Sequence, residues 1–235
     1  MATNEEFIET IATQFTKLVY DNFLSTESLV QALSGTGYIT ALLQSMTLAT
    51  GVQQGSEAGM RYDNIIFNPY YSDLVVKSRI STASENFAFF GYKETTNEPA
   101  FAMTESHAGF MFYRDTGSPA NVYDVYISTG NGKFPAANQQ RIKIQGWDTT
   151  NWLEFKVVGT DSGVEFWIRS LPITYPYFND VRTINVARQW TMVGKLATVM
   201  PRNSVHYLQA YITNTSGADR GIEFSHIVYG ERYAD

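Results

Sequence analysis

WLEFKVVGTDSGVEFWIR, residues 152–169, alternates apolar and polar residues on either side of a short turn. Leu153, Phe155 and Val157 share one face of the first half, and Val164, Phe166 and Ile168 share one face of the second, because side chains two apart on a strand point the same way. Glu154, Lys156, Glu165, Trp167 and Arg169 fall on the opposite faces. Between the halves, Thr160-Asp161-Ser162-Gly163 offers a side chain that can accept from its own turn amides and a glycine free to take positive φ. The stretch predicts a β-hairpin with one apolar side. A face reading Glu165, Trp167, Arg169 is a poor buried side, since two charges would need partners there.

Outward from this hairpin the same pattern recurs. Strands are expected near 61–67, 74–81, 86–93, 99–104, 108–114, 121–129 and 139–146 before it, and near 182–190, 205–213 and 220–230 after it. Spacing of about ten to twelve residues between strands belongs to a sandwich or barrel rather than to βαβ units.

The first fifty or so residues read differently. Thr3 with Glu6 resembles a capping box, and Phe7, Ile11, Phe15 and Leu18 follow at helical spacing, which predicts a helix near 4–23. Ser25 or Thr26 can cap a second helix through Leu29, Val30 and Leu33, ended by Gly35. A third carries Ile39, Leu42, Leu43 and Met46, with Gly51 as its stop. The polar, glycine-rich run GVQQGSEAG, residues 51–59, marks the boundary. The expected organisation is therefore a helical N-terminal arm over 1–55 and a β-sandwich over 60–235. The arm's stripes are too short for a core of their own, so Phe7, Ile11, Phe15, Leu18, Ile39, Leu42 and Met46 are the candidate assembly residues.

Composition narrows the function. The 235 residues carry a net charge of −6 with no basic run, which argues against an extended phosphate-binding surface and so against nucleic acid as a partner. Charged residues make up 17% and aromatics 14%, so surface polarity comes from Asn, Gln, Ser and Thr. There is no cysteine, hence no disulfide framework and no thiolate metal site, and His107, His206 and His226 are far apart in sequence. Asp124, Asp148 and Asp161 form no oxygen-ligand loop for calcium, and no cofactor motif is present. The N-terminus MATNEEFIET is acidic where a secretory signal is basic, and no run is long enough to cross a membrane as a helix.

From Leu74 to Arg232 the order of segments resembles the concanavalin A-like lectin and glucanase superfamily of jelly rolls. The resemblance rests on His107-Ala108-Gly109-Phe110-Met111-Phe112-Tyr113 ahead of the 152–169 hairpin and on a closing strand, Gly221-Ile222-Glu223-Phe224-Ser225-His226-Ile227-Val228-Tyr229. It implies an antiparallel jelly-roll sandwich. The family's retaining glucanases carry Glu-x-Asp-x-x-Glu on one strand, which sets alternate carboxylates on one face. No such motif occurs here: Glu94 and Glu98 fall in an expected loop, and Glu154 and Glu165 have no Asp two positions on. No Gly-x-Ser-x-Gly elbow occurs either, and the two glycines near Lys133 precede no helix. No catalytic residue is assigned.

Sugar recognition on a sandwich needs an aromatic plate with amides or carboxylates beside it. Trp147 and Trp152 flank the polar run Asp148-Thr149-Thr150-Asn151, and Trp167 and Tyr113 lie on strands that carry an apolar set on the other face. Trp147, Asp148, Trp152, Trp167 and Tyr113 are thus the candidate glycan residues. A lectin-like sandwich with no catalytic motif, no secretion signal and no cysteine suits a self-assembling, non-enzymatic virion protein. Such a chain is made in a host cytoplasm and serves as a capsid-decorating, fibre or tail component of a phage or archaeal virus. Its expected partners are further copies of itself, other virion proteins and cell-surface glycans. The alternative is a soluble carbohydrate-binding lectin or module; a glycoside hydrolase with an unrecognised acid pair comes third.

Overall fold

The hairpin that begins the sequence reading is present where alternation puts it. In a computed structural model of the chain, Leu153–Thr160 pairs antiparallel with Gly163–Ser170, Phe155 opposite Ile168 and Thr160 opposite Gly163. Gly163 has φ 156°, and a Cβ there would meet the Leu196 carbonyl, so the turn admits only glycine comfortably. The Thr160 hydroxyl donates to the Gly163 carbonyl at 2.8 Å, and the Asp161 carboxylate accepts from the Tyr71 hydroxyl.

The structure describes residues 15–21, 29–42, 45–62, 68, 70–81, 86–94, 106–113, 124–131, 139–144, 149–170, 189–197, 206–215 and 217–232. Their regular structure is all β: β1 (Phe15–Asp21), β2 (Leu29–Ser34), β3 (Tyr38–Leu42), β4 (Ser45–Ala49), β5 (Glu57–Tyr62), β6 (Ser72–Ser81), β7 (Asn86–Lys93), β8 (Ser106–Tyr113), β9 (Asp124–Asn131), β10 (Gln139–Ile144), β11 (Leu153–Thr160), β12 (Gly163–Ser170), β13 (Thr191–Leu196), β14 (Tyr207–Asn214) and β15 (Gly221–Arg232). An eight-stranded sheet runs β13-β12-β11-β6-β15-β4-β3, with β1 also paired to β15. A seven-stranded sheet runs β10-β9-β8-β7-β14-β5-β2, and all pairings are antiparallel.

The core lies between the sheets. Phe90, Phe110, Phe112 and Phe155 interlock with centroids 5.0–5.6 Å apart, and Phe166 stands edge-on to Phe110 at 5.3 Å. Such tilted and edge-on pairs match the ring quadrupole and add to the burial of apolar surface. Val164, Phe166 and Ile168 are core residues as the alternation predicts, while Glu165, Trp167 and Arg169 are partly exposed on the other face.

The N-terminal segment corrects the expectation of a helical arm. Residues 15–21, 29–34, 38–42 and 45–49 are strands, and they belong to the sandwich itself. β15 is long enough to pair with β4 through Gly221–Phe224 and with β1 through Ile227–Arg232, while β2 pairs with β5. Met46 is fully buried in the core, so it is not available to a neighbouring subunit, and Ile39 is partly buried against that core. The division at residue 55 is corrected with it: the described strands before residue 55 are split between the same two sheets that hold those after it. Phe7 and Ile11 lie outside the described residues. Phe15, Leu18 and Leu42 are placed on strands by their backbone alone. The strand expected at 99–104 and residues 182–188 of the one expected at 182–190 also lie outside the described residues; residues 189–190 are not strand, and β13, which begins at Thr191, is an element the sequence pattern does not predict.

Candidate functional site

Two faces of the sandwich look outward, and the register fixes what each carries. On the seven-stranded sheet, one row across the strands is Val30, Arg61, Gln209, Gly91, Gly109, Ser128, Arg141. The next row on the same face is Ala32, Gly59, Tyr211, Phe89, Met111, Tyr126, Lys143, and beyond Gln209 on the other side come Tyr207, Lys93, His107 and Gly130. The glycines let the larger side chains lie flat: a Cβ on Gly109 would strike the Phe89 ring, and one on Gly130 the His107 ring.

The centre of this face is buried. Phe89, Met111 and Tyr211 form a second apolar cluster of their own, with Phe87 and Tyr126 packed against it, and Lys93, His107, Ser128 and Gln209 are buried too. The Phe89 and Tyr211 rings stack at 5.5 Å and the Lys93 ammonium sits 5.4 Å from the Tyr211 ring. His107 Nε2 and the Ser128 hydroxyl lie 2.8 Å apart, the separation of a nucleophile and its base. Both side chains are buried, and the contact joins β8 to β9. Glu57 is a carboxylate whose side chain is described on this face; burial raises its pKa, while bonds from Thr213 and Ser34 oppose the rise.

On the eight-stranded sheet the outer face is a lattice of charges and indoles. Across its middle run Arg169, Glu154, Lys77 and His226. The Arg169 guanidinium bonds Glu154 and lies 4.4 Å from the Trp190 ring. Next to that row, Arg79 donates twice to Glu223 at 3.0 and 2.9 Å and sits 4.8 Å from the Trp152 ring, with the Lys77 ammonium 5.5 Å from the same ring. On the other side Trp167 lies between Lys156 and Met192 by register, and its Nε1 is buried with no hydrogen-bond partner among the described residues. Lys195 pairs with Glu165 at 3.2 Å, and Lys156 with Asp73 at 3.1 Å. Burial lowers the pKa of His226, with Glu154 raising it and Lys77 and Arg169 lowering it further.

Of the residues singled out in the sequence, Trp152 and Trp167 therefore share one face, and Trp190, which the sequence reading missed, joins them. Arg169 links the set, touching both Glu154 and Trp190. Trp147 and Asp148 lie outside the described residues. Tyr113 is on the other sheet, at the end of β8 opposite Phe87 and Asp124, and so is not part of the indole surface. No group of three or more His, Cys, Asp or Glu able to hold a metal ion occurs among the described residues.

Neither a family model nor a curated protein sequence matches the chain. Solved structures do. The exoplasmic/lumenal domain of VIP36 in its Ca2+/Man3GlcNAc-bound form matches with TM-score 0.62 over 93% of this chain and 89% of that one, at 10% identity. The catalytic domain of an endo-1,3-β-glucanase (laminarinase) from Thermotoga petrophila RKU-1 matches with TM-score 0.63 over 92% and 98%, at 8% identity. A protein of unknown function from Shewanella oneidensis MR-1 matches with TM-score 0.59 over 100% and 98%, at 9% identity. The chain has the jelly-roll sandwich fold shared by concanavalin A-like lectins and glucanases. At these identities the likeness is one of fold.

Proposed function

We propose that the chain is a non-enzymatic structural protein of a virus particle, built on a lectin-type sandwich and serving as a capsid-decorating, fibre or tail component. The observation that supports the non-enzymatic half is the buried centre of the outer face of the seven-stranded sheet, where Phe89, Met111 and Tyr211 pack together. A glycosidase acting within a polysaccharide needs an open trough with two carboxylates about 5–9.5 Å apart. The structural half is supported by a chain with no cysteine and only 17% charged residues, and by large apolar side chains left exposed at one edge, Leu33 and Tyr38 among them. Incubation with laminarin, lichenan and mucin tests the first half: no reducing ends should be released above the buffer control. Turnover that survives repurification would overturn it.

A second reading, a soluble glycan-binding lectin, is favoured by the three indoles on the outer face of the eight-stranded sheet. Trp152, Trp167 and Trp190 are all partly exposed, and each lies near charged side chains able to bond sugar hydroxyls. On a glycan array, retention lost in Trp152→Ala and Trp167→Ala would favour this reading, and no retention would leave the structural role alone.

A further inference from the structure

On the outer face of the eight-stranded sheet the ion pairs show which cation is left over. The outward carboxylates of β6, β11, β12 and β15 are Asp73, Glu154, Glu165 and Glu223, and each already holds a cation. Lys156 is 3.1 Å from Asp73, Lys195 is 3.2 Å from Glu165, Arg79 is 2.9 Å from Glu223, and Arg169 bonds Glu154. Arg232 shares Asp73 at 3.3 Å. Lys77 forms no ion pair among the described residues, although Glu154 and His226 stand on either side of it by register. Its ammonium lies instead over the Trp152 ring, 5.5 Å from the centroid.

Trp152 and Lys77 are both partly exposed, so ring and ammonium are open to a ligand together. An indole takes the apolar face of a pyranose, and an ammonium with three N–H donors takes a carboxylate through charge-assisted bonds. In a hexuronic acid the carboxylate is borne directly on a ring carbon. A sugar lying on Trp152 therefore carries its charge close to the ring, which is where Lys77 stands. The neighbouring pair completes the set. Arg79 gives Nε and Nη2 to one oxygen of Glu223, which leaves its Nη1 as a donor and the second Glu223 oxygen as an acceptor for hydroxyls. The Arg79 guanidinium is itself 4.8 Å from the Trp152 centroid, so all four side chains meet at one ring.

We propose that Lys77, Trp152, Arg79 and Glu223 form a binding site for an acidic sugar, a pyranose that bears a carboxylate, with its ring on Trp152 and its charge on Lys77. The inference rests on the reading that this face takes a glycan, and it adds the class of glycan. A neutral sugar leaves the Lys77 ammonium without a counter-charge, whereas a single carboxylate matches the single unpaired cation. The paired cations around it are not available for that role, since each would have to give up its own carboxylate. The chain as a whole carries a net charge of −6 and so repels polyanions at large. Retention of an acidic glycan is thus the work of this local site.

Affinity electrophoresis of the full-length chain tests it, in gels containing polygalacturonate, alginate or polysialic acid, each beside its carboxyl-reduced, neutral counterpart, and in gels containing dextran sulfate. At least one of the three acidic polymers should retard the parent chain, with at least about tenfold higher affinity than its reduced form. That comparison needs no variant. Lys77→Gln, folded by near-ultraviolet circular dichroism, should lose at least about tenfold on the acidic polymer and bind it no better than the reduced one. Trp152→Ala should lose retention on both, and Lys143→Gln, on the other sheet, should change neither. Equal retention by acidic and reduced polymers, or a folded Lys77→Gln that binds like the parent, would overturn the acidic class while leaving a glycan site. No retention by any polysaccharide would remove the site and the lectin reading together. Retardation by dextran sulfate that Trp152→Ala does not weaken would mark a general polyanion effect and overturn the proposal as well.

Discussion

Glu154 and Arg169 stand opposite each other across the β11–β12 hairpin, and the Arg169 Nε donates to the Glu154 carboxylate. The carboxylate is buried, and His226 Nε2 lies 3.9 Å from its other oxygen. Glu154 is buried but Arg169 is partly exposed, so Glu154→Gln leaves a half-solvated guanidinium without its partner and should cost about 1–3 kcal/mol by denaturant unfolding. Glu165→Gln, whose partner Lys195 is well exposed, should cost under about 0.5 kcal/mol. Equal losses for the two would show that the hairpin's outer face has no buried electrostatic centre.

His226 gives a sign for pH. Burial lowers its pKa below 6.5, so between the folded and unfolded pKa values the unfolded chain binds more protons. The stability that neutral His226 allows is present above 6.5 and is lost as pH falls through that value towards its folded pKa. Thermal unfolding should show the parent chain losing stability from pH 7 to pH 5 more steeply than His226→Gln. Parallel slopes would mean that the imidazole does not titrate in this environment.

The N-terminal strands predict a failure rather than a detachable arm. Deleting residues 1–55 removes β1 to β4 and exposes one whole side of β15 and of β5. Cooperative unfolding, followed by near-ultraviolet circular dichroism, should vanish. Met46→Ala, a milder insult at a fully buried site, should cost about 2–5 kcal/mol in the folded chain. A cooperatively folding 56–235 fragment would contradict the sheet order.

How much of this was legible varied along the chain. The 152–169 hairpin was, since strict alternation over two eight-residue strands leaves no helical reading and Gly163 marks the turn. The strands from 72 to 93 and from 207 to 232 were legible for the same reason. The first fifty or so residues misled because their apolar positions recur at spacings of three and four, as Ile39, Leu42 and Met46 do with residues 43–44 between strands. Runs this short cannot separate the two periods, and Val30, Thr40 and Thr47 were the β-branched hint. Gly35 and Gly51, read as helix stops, do take positive φ, at 60° and 66°, but in the turn that passes from one sheet to the other and in the loop after β4. At the site, Trp167 follows from face parity and Trp152 from its place beside the polar run 148–151. Trp190 does not follow from either, because it precedes its strand and meets Arg169 only in three dimensions. The buried face of the seven-stranded sheet was likewise hidden, since alternation tells which residues face outward and not whether that outward face is covered.

Association with virus particles is the most direct test of the central claim. Particles from the source culture, purified on a density gradient and probed with antibody to this chain, should carry it in fixed ratio to their main coat protein and show immunogold label on capsid, fibre or tail. Recovery of the chain only as free protein, with none in the particle band, would contradict the account.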